Sequence, residues 1–287
     1  MKLFVTGATG FVGGHFLNAA MAAGHEVVAL RRAGSGTRIK LLQEPCWITG
    51  DLDVDLRADL RHELNGCDVF VHLAAHSANL PYDSYAQCLY WNTCASLRLA
   101  EQARECGITQ FLVAGTCFEY GLSADRYKRI PTIAPLEPTS SYPASKAAAS
   151  LAFQSFARQH QLKLKILRLF QVYGEGELET RLWPSLRRAA MAGDDFPMTA
   201  GEQLRDFTDV RDVAHQLVAA LEFGNVVAGL PHVSNLGSGQ TQSLRDFAEY
   251  WWKHWNAKGK LLIGANPYRQ NEIMRLVPEL DVIIRAE

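Results

Sequence analysis

Lys2-Leu3-Phe4-Val5-Thr6-Gly7-Ala8-Thr9-Gly10-Phe11-Val12-Gly13 opens the chain. Lys2 to Thr6 reads as a short buried strand that runs straight into a glycine turn. A helix follows over about 12–23, and Glu26 to Leu30 reads as a second apolar strand. Strand, glycine turn, helix, strand is the setting in which a G-x-x-G-x-x-G spacing binds a dinucleotide. Gly7 allows the tight turn, Gly10 lets the backbone approach a pyrophosphate, and Gly13 lets the helix pack closely on the sheet. The helix N-terminus then faces the phosphates, which makes Thr9, Phe11 and Val12 candidate contacts as well.

The same alternation continues outward from this stretch. Trp47 to Leu52 reads as a third strand and turn, with Asp51 and Leu52 placed to bracket an adenine. A helix is expected over 55–64. Asp68 to Leu73 is a fourth strand, ending in His72-Leu73-Ala74-Ala75-His76. Ala74 and Ala75 are small enough for a cofactor to lie close, with Leu73 a candidate contact beside them; His72 reads as packing, and His76 opens a loop toward the cleft. Ser84 to Cys106 is a long helix containing Asn92, Gln110 to Ala114 a fifth strand leading to Thr116, and Leu164 to Phe170 a sixth. Strands alternating with helices predict an α/β fold, a Rossmann-type doubly wound parallel sheet with its site beyond the carboxyl ends of the strands.

After Gly174 the pattern loosens. Helices are expected over 181–191 (interrupted near its start by Pro184), 211–222 and 243–255, and a strand over 232–236. Trp251, Trp252 and Trp255 read as cover for an apolar interior. The expected division is a dinucleotide-binding domain over 1–174 and a smaller, mainly substrate-binding lobe over 175–287, with 205–240 partly returning to the first.

Two further stretches select chemistry. The second strand ends in Arg31-Arg32. An acidic residue there would suit the ribose hydroxyls of NAD; arginine suits a 2′-phosphate, so NADP(H) is favoured, with NAD(H) as the alternative. Tyr142-Pro143-Ala144-Ser145-Lys146 reads as a helix start, with Ser140 and Ser141 as caps, Pro143 in the first turn and an alanine-rich continuation. Tyr142 and Lys146 lie one turn apart on one face. An ammonium beside a phenol should lower the phenol pKa toward use as an acid or base near neutrality.

Composition excludes several classes. The chain has 287 residues, 48% hydrophobic and 21% charged, with a formal net charge of −1. No overall field draws it to nucleic acid or to membranes. No apolar run reaches the ~20 residues that span a bilayer, and the N-terminus reads as a strand rather than a signal peptide. The six cysteines form no C-x-x-C pair, which favours buried thiols over disulfides or a metal site. A cytoplasmic enzyme fits.

In their order and spacing these motifs resemble the extended short-chain dehydrogenase/reductase family, the branch of nucleotide-sugar epimerases, dehydratases and ketoreductases. The resemblance covers nearly the whole chain. Thr6 to Gly13 matches the TGxxGxxG cofactor motif, Asp51-Leu52 the adenine contact, His72 to Ala75 the H-x-A-A strand end, and Asn92 the structural Asn. Thr116 stands where the family places its catalytic Ser or Thr, and Tyr142 and Lys146 match the catalytic pair. Arg168-Leu169-Phe170-Gln171-Val172-Tyr173-Gly174 matches R-x-x-N-x-Y-G, Arg205-Asp206-Phe207 an R-D-F segment whose Arg binds a substrate diphosphate, and Asn235 to Gly239 the late N-x-G-x-G turn.

What the resemblance implies is an NAD(P)-dependent oxidoreductase or epimerase acting on a nucleotide-sugar, paired as a homodimer through the Asn92 and Tyr142 helices. Tyr142 would be the proton donor, Lys146 would tune it and hold the nicotinamide ribose, and Thr116 would orient the carbonyl. His76, Gln171, Arg181, Arg205 and Arg269 join Thr116 as candidate substrate contacts, and Asn92 joins the candidate cofactor contacts. Departures narrow the choice. Cys117 and Phe118 stand where the dehydratases carry Asp and Glu, which disfavours dehydration. Gln171 replaces an Asn, and the chain stops soon after Tyr268 to Glu272. The expectation is an NADPH-dependent reductase of a CDP- or dTDP-linked 4-keto-6-deoxy sugar. The alternatives are an NAD-dependent nucleotide-sugar 4-epimerase or, in another class, a catalytically silent dinucleotide sensor or scaffold.

Overall fold

The first strand, β1 (Lys2–Thr6), is buried on both faces. Leu3 and Val5 enter one apolar layer and Phe4 the other, as successive side chains of a strand must. A strand covered on both faces belongs in the middle of a parallel sheet. The computed structural model, which describes residues 1–53, 64–269 and 272–280, places it there. The helix expected over 55–64 falls almost wholly outside the described residues.

The strands that follow are β2 (Glu26–Arg31), β3 (Cys46–Thr49), β4 (Val69–His72), β5 (Gln110–Thr116), β6 (Lys163–Leu169), β7 (Gln171–Tyr173), β8 (Phe196–Met198), β9 (Leu204–Arg205), β10 (Phe207–Asp209) and β11 (His232–Leu236). Six of them join β1 in one seven-stranded sheet in the order β11-β6-β5-β4-β1-β2-β3, and every pairing in it is parallel. The order reverses between β1 and β4. In an open parallel sheet, that reversal opens a crevice at the carboxyl ends of the two strands.

One face of the sheet is covered by α1 (Phe11–Ala22), through Phe16, Leu17 and Ala20. The other carries a long helix in three parts. The segment α2 (Tyr85–Leu89) runs into a π-helical turn over Tyr90–Ala95 and on into α3 (Ser96–Glu105). Beside it lies α4 (Ser141–Gln159). Leu99, Ala100 and Ala103 of α3 and Phe153 and Phe156 of α4 fill this second layer with Phe4 and Phe70.

The remaining helices are α5 (Leu182–Ala192), α6 (Val210–Ala219) and α7 (Leu244–His254). Val213 and Leu217 of α6 pack with α1 on the first face. Pro184 sits in the first turn of α5, where its missing N–H costs nothing, and does not break the helix. The cap of α7 is Ser243, which accepts from Asp246 while the Asp246 carboxylate reaches back. Small sheets pair β7 with β10 and β8 with β13 (Leu261–Ile263), and β9 lies between β12 (Gln242–Ser243) and β14 (Arg275–Leu276). Trp251 and Trp255 pack on Trp183 at ring separations of 5.6 and 5.7 Å, an apolar interior as expected. No helix among the described residues is long and apolar enough to cross a membrane.

Candidate active site

At the switch between β1 and β4 the chain passes very close to itself. Gly7 has φ +74°, and a Cβ there would lie 2.4 Å from the Ala74 nitrogen and 2.5 Å from the Leu73 carbon. A Cβ on Gly13 would lie 2.0 Å from the Gly7 oxygen. No residue with a side chain fits either position, so the turn leaves bare backbone facing the N-terminus of α1, whose cap position is Gly10. This is a cradle for a pyrophosphate, and the residues present fit a dinucleotide.

The cleft above it encloses about 890 Å³. Thr9, Gly10, Phe11 and Val12 line its floor, Arg31, Arg32, Asp51 and Leu52 one end, and Leu73, Ala74, Ala75 and His76 the middle. Thr116, Tyr142, Lys146, Gln171 and Arg181 line the other end. The structure therefore brings together most of the residues singled out from the sequence. Arg31 is held by stacking, its guanidinium 4.7 Å from the Trp47 ring. His72, pushed down to about 3 by burial and then by the Lys146 charge, is a neutral packing residue bonded to Thr6.

Tyr142 and Lys146 share a face of α4, but their electrostatics differ from expectation. Burial holds the Tyr142 phenol above its ordinary value, with nearby Tyr82 and Glu119 adding to the rise and Arg181 opposing it. The Lys146 ammonium donates to the Ala114 carbonyl at 2.8 Å, and burial lowers its own pKa. The pair is a protonated phenol beside an anchored amine rather than an activated phenolate. The helix start also differs: Ser140 makes no side-chain cap, and the Ser141 hydroxyl donates instead to the Asp83 carbonyl at 2.6 Å.

Thr116 ends β5 in a capping box. Its hydroxyl accepts from the Phe118 N–H, and its own N–H donates to the Glu119 carboxylate at 2.8 Å. Glu119 is fully buried and also accepts from Ser150 of α4 at 2.8 Å and from Arg168 of β6 at 3.0 Å. One carboxylate thus ties the threonine, the tyrosine's helix and the next strand. Cys117 is buried, and burial pushes its thiol up to about 12. It is a packed thiol with no proton to exchange near neutrality.

Two residues named as contacts are bonded elsewhere in this structure, and a third is not in the cleft lining. Asn92 does not line the cleft: its amide holds the His76 backbone, accepting from the N–H at 2.7 Å and donating to the carbonyl at 3.0 Å, and it donates to Ser145 at 2.9 Å. Arg205 is buried outside the cleft lining, paired with Glu272 at 3.1 Å and bonded to the Ile273 carbonyl at 2.7 Å. Its neighbour Asp206 accepts from the Ser238 and Gly239 N–H groups, both at 2.7 Å, so the R-D-F segment closes the late glycine turn. Arg269 is exposed and is not among the cleft-lining residues, though its charge is felt at Tyr82, whose ring lies 5.5 Å from that of Tyr142.

Among the lining residues missed from the sequence, two are charged: Arg38, in the loop between β2 and β3, and Glu177, in the turn after β7. Burial pushes the Glu177 carboxyl up to about 7 against the opposing charge of Arg181. The only sequence signal was an acidic residue following Gly174 and Gly176.

A family model described as the NAD dependent epimerase/dehydratase family matches residues 3–237. A UDP-glucose 4-epimerase of Corynebacterium glutamicum is 31% identical over 267 residues, 87% of this chain and 79% of that protein. A dTDP-6-deoxy-L-talose 4-dehydrogenase (NAD(+)) of Aggregatibacter actinomycetemcomitans is 25% identical over 280 residues, 96% of this chain and 98% of that protein. Among solved structures, a UDP-glucose 4-epimerase of Thermotoga maritima with UDP-glucose superposes with a TM-score of 0.85 at 22% identity, over 98% of this chain and 90% of that one.

Proposed function

The chain belongs to the NAD-dependent epimerase/dehydratase family, and we propose that within it the protein is a reductase of a nucleotide-diphospho-4-keto-6-deoxy sugar. It is an enzyme of the extended short-chain dehydrogenase/reductase type in a family of nicotinamide-dependent, nucleotide-sugar enzymes. The observation that carries the finer reading is the lining around Tyr142, which shares its cleft with Thr116, Lys146, Cys117 and Phe118. Burial raises the Tyr142 phenol above its ordinary value and leaves Cys117 an inert thiol.

A protonated phenol suits donation to a carbonyl oxygen as that oxygen gains charge. Thr116 would hydrogen-bond the same oxygen, and Lys146 would brace the tyrosine's face of the cleft. The dinucleotide, when bound, supplies the hydride. Cys117 and Phe118 provide no acid–base pair for eliminating water. The relative matched along almost its whole length is named for dehydrogenation at carbon 4, and the reverse of that reaction is reduction of a 4-ketone.

For the cofactor we favour NADP(H). Arg31, Arg32 and Arg38 line the end of the cleft beyond β2 and could hold a 2′-phosphate by charge-assisted bonds. The same reading pairs two copies through α2 and α4, covering Tyr85 (56% exposed) and Leu151 (60% exposed).

A second reading, a nucleotide-sugar 4-epimerase, is favoured by the 31% identity to the Corynebacterium enzyme. The assay separates them. NADPH or NADH is mixed with a dTDP- or CDP-linked 4-keto-6-deoxyhexose, and loss of nicotinamide absorbance is followed. A parallel sample with UDP-glucose and catalytic NAD is analysed for the 4-epimer. Stoichiometric oxidation supports the reductase; the 4-epimer without net oxidation replaces it with the epimerase. Faster turnover with NADH than with NADPH overturns the arginine argument.

A further inference from the structure

The turn between β7 and α5 is fixed from two sides. The Glu175 carbonyl accepts from His15 of α1 at 2.9 Å. Gly176 packs so closely on the loop after β2 that a Cβ would sit 2.6 Å from the Ile39 side chain. This pinned turn aims Glu177 at the cleft wall. Its side chain is only 6% exposed. One carboxylate oxygen accepts from the Arg181 Nε at 3.4 Å, while Oε2 is buried with no hydrogen-bond partner.

A buried carboxylate oxygen without a donor is costly, and a fold that holds one at a cleft wall leaves it for an occupant to satisfy. Held at about 7, the carboxyl is in part ionised near neutrality, and its ionised form only accepts, so the occupant that matches it must bring an O–H or N–H. It repels phosphate, and the cleft already offers Arg31, Arg32, Arg38 and Arg181 to phosphates. The charge of Arg181 is felt at Tyr82, Cys117 and Tyr142, so the Arg181 that Glu177 holds reaches the Tyr142 end, while the turn itself packs on the Arg38–Ile39 loop. On a nucleotide-sugar, the hydrogen-bond donors that reach that end are the hydroxyls of the hexose.

We infer that Glu177 is a specificity-determining residue whose Oε2 accepts a hydrogen bond from a ring hydroxyl of the substrate's sugar. This rests on the nucleotide-sugar reading above and adds a residue to it. Glu177 discriminates among sugars by the hydroxyl it finds, and Arg181, clamped by it, keeps its remaining N–H groups for the anionic part of the same ligand.

The test measures binding rather than turnover, so it does not depend on the direction of the reaction. Calorimetry on the full chain compares UDP-glucose with UDP and dTDP-glucose with dTDP, for wild type, Glu177→Ala and Glu177→Gln. Dinucleotide affinity is measured alongside as a check on folding. In Glu177→Ala the sugar nucleotide should weaken about tenfold, the factor one hydrogen bond to a charged acceptor supports. The bare nucleoside diphosphate should change less than about twofold, and Glu177→Gln, whose amide oxygen still accepts, should fall between. Equal weakening of both ligands overturns the proposal and makes Glu177 a brace for Arg181. Weakening of the dinucleotide alone overturns it in favour of a cofactor ribose. If wild type binds none of the four, nor CDP or CDP-glucose, the nucleotide-sugar reading itself fails and takes this proposal with it.

Discussion

Replacing Glu177 with Gln should flatten the protein's stability against pH. The folded chain holds this carboxyl at about 7, chiefly by burial, against an ordinary 4.5. Between those values the folded protein keeps a proton that the unfolded chain has released. Stability therefore falls as pH rises from 4.5 through 7. Each pKa unit corresponds to about 1.36 kcal/mol. The rise from 4.5 to about 7 thus weakens folding by about 3 kcal/mol once the group is ionised in both states. The Arg181 pair is already counted in that figure, because it opposes the rise. For 287 residues at about 2.1 cal/mol/K each, 3 kcal/mol is about 5 °C in Tm. Urea denaturation of ligand-free wild type and Glu177→Gln at about pH 5 and about pH 8 measures it. The difference in unfolding free energy between the two proteins should move by about 2.5 kcal/mol toward the variant at the higher pH. Parallel pH curves, within about 0.5 kcal/mol, would refute the claim that this carboxyl is buried against its own ionisation.

Other substitutions test the frame around it. Gly7→Ala places a Cβ 2.4 Å from the Ala74 nitrogen at φ +74°; dinucleotide affinity by calorimetry should fall at least about tenfold, and a variant binding like wild type would end the cradle reading. Glu119→Ala leaves Arg168 buried without its carboxylate, so the urea midpoint should report a loss of about 3–5 kcal/mol. A loss below about 1 kcal/mol would mean the network under Thr116 relaxes freely. Arg205→Ala should lower stability through the lost Glu272 and Ile273 bonds while UDP and dTDP affinities change less than about threefold. A larger loss of nucleotide affinity at unchanged stability would restore Arg205 to the diphosphate.

The sheet was legible because its signals are local. Alternating apolar strands and a glycine turn require no knowledge of distant residues, and Lys2 to Gly13 already implied the crevice beside β4. The Thr116, Tyr142 and Lys146 triplet was legible for the same reason: each sits at a strand or helix end whose position the alternation fixes. What escaped was pairing at a distance. Nothing near Arg205 announces Glu272, nearly seventy residues on, so a free cation and a satisfied one look alike in the sequence. Lys146 was read by its spacing from Tyr142, but Ala114 on β5 claims its ammonium. Glu177 was passed over because an acidic residue after a Gly-rich turn usually faces solvent; only the packing of α1 and the Ile39 loop around that turn buries it.

The π-helical turn at Tyr90–Ala95 resolves a conflict of angles. In an unbroken α-helix, the azimuth of one residue sets that of all the rest, about 100° apart. The long helix has two clients: Asn92 must point across to His76 and Ser145, and Leu99, Ala100 and Ala103 must point into the layer beneath the sheet. A widened turn inserts a phase slip between them, so each half is aimed independently. Deleting a single residue within the turn would restore one continuous spiral and force a choice, with either the amide or the apolar stripe swung off target. That stretch should therefore tolerate changes of side chain far better than changes of length.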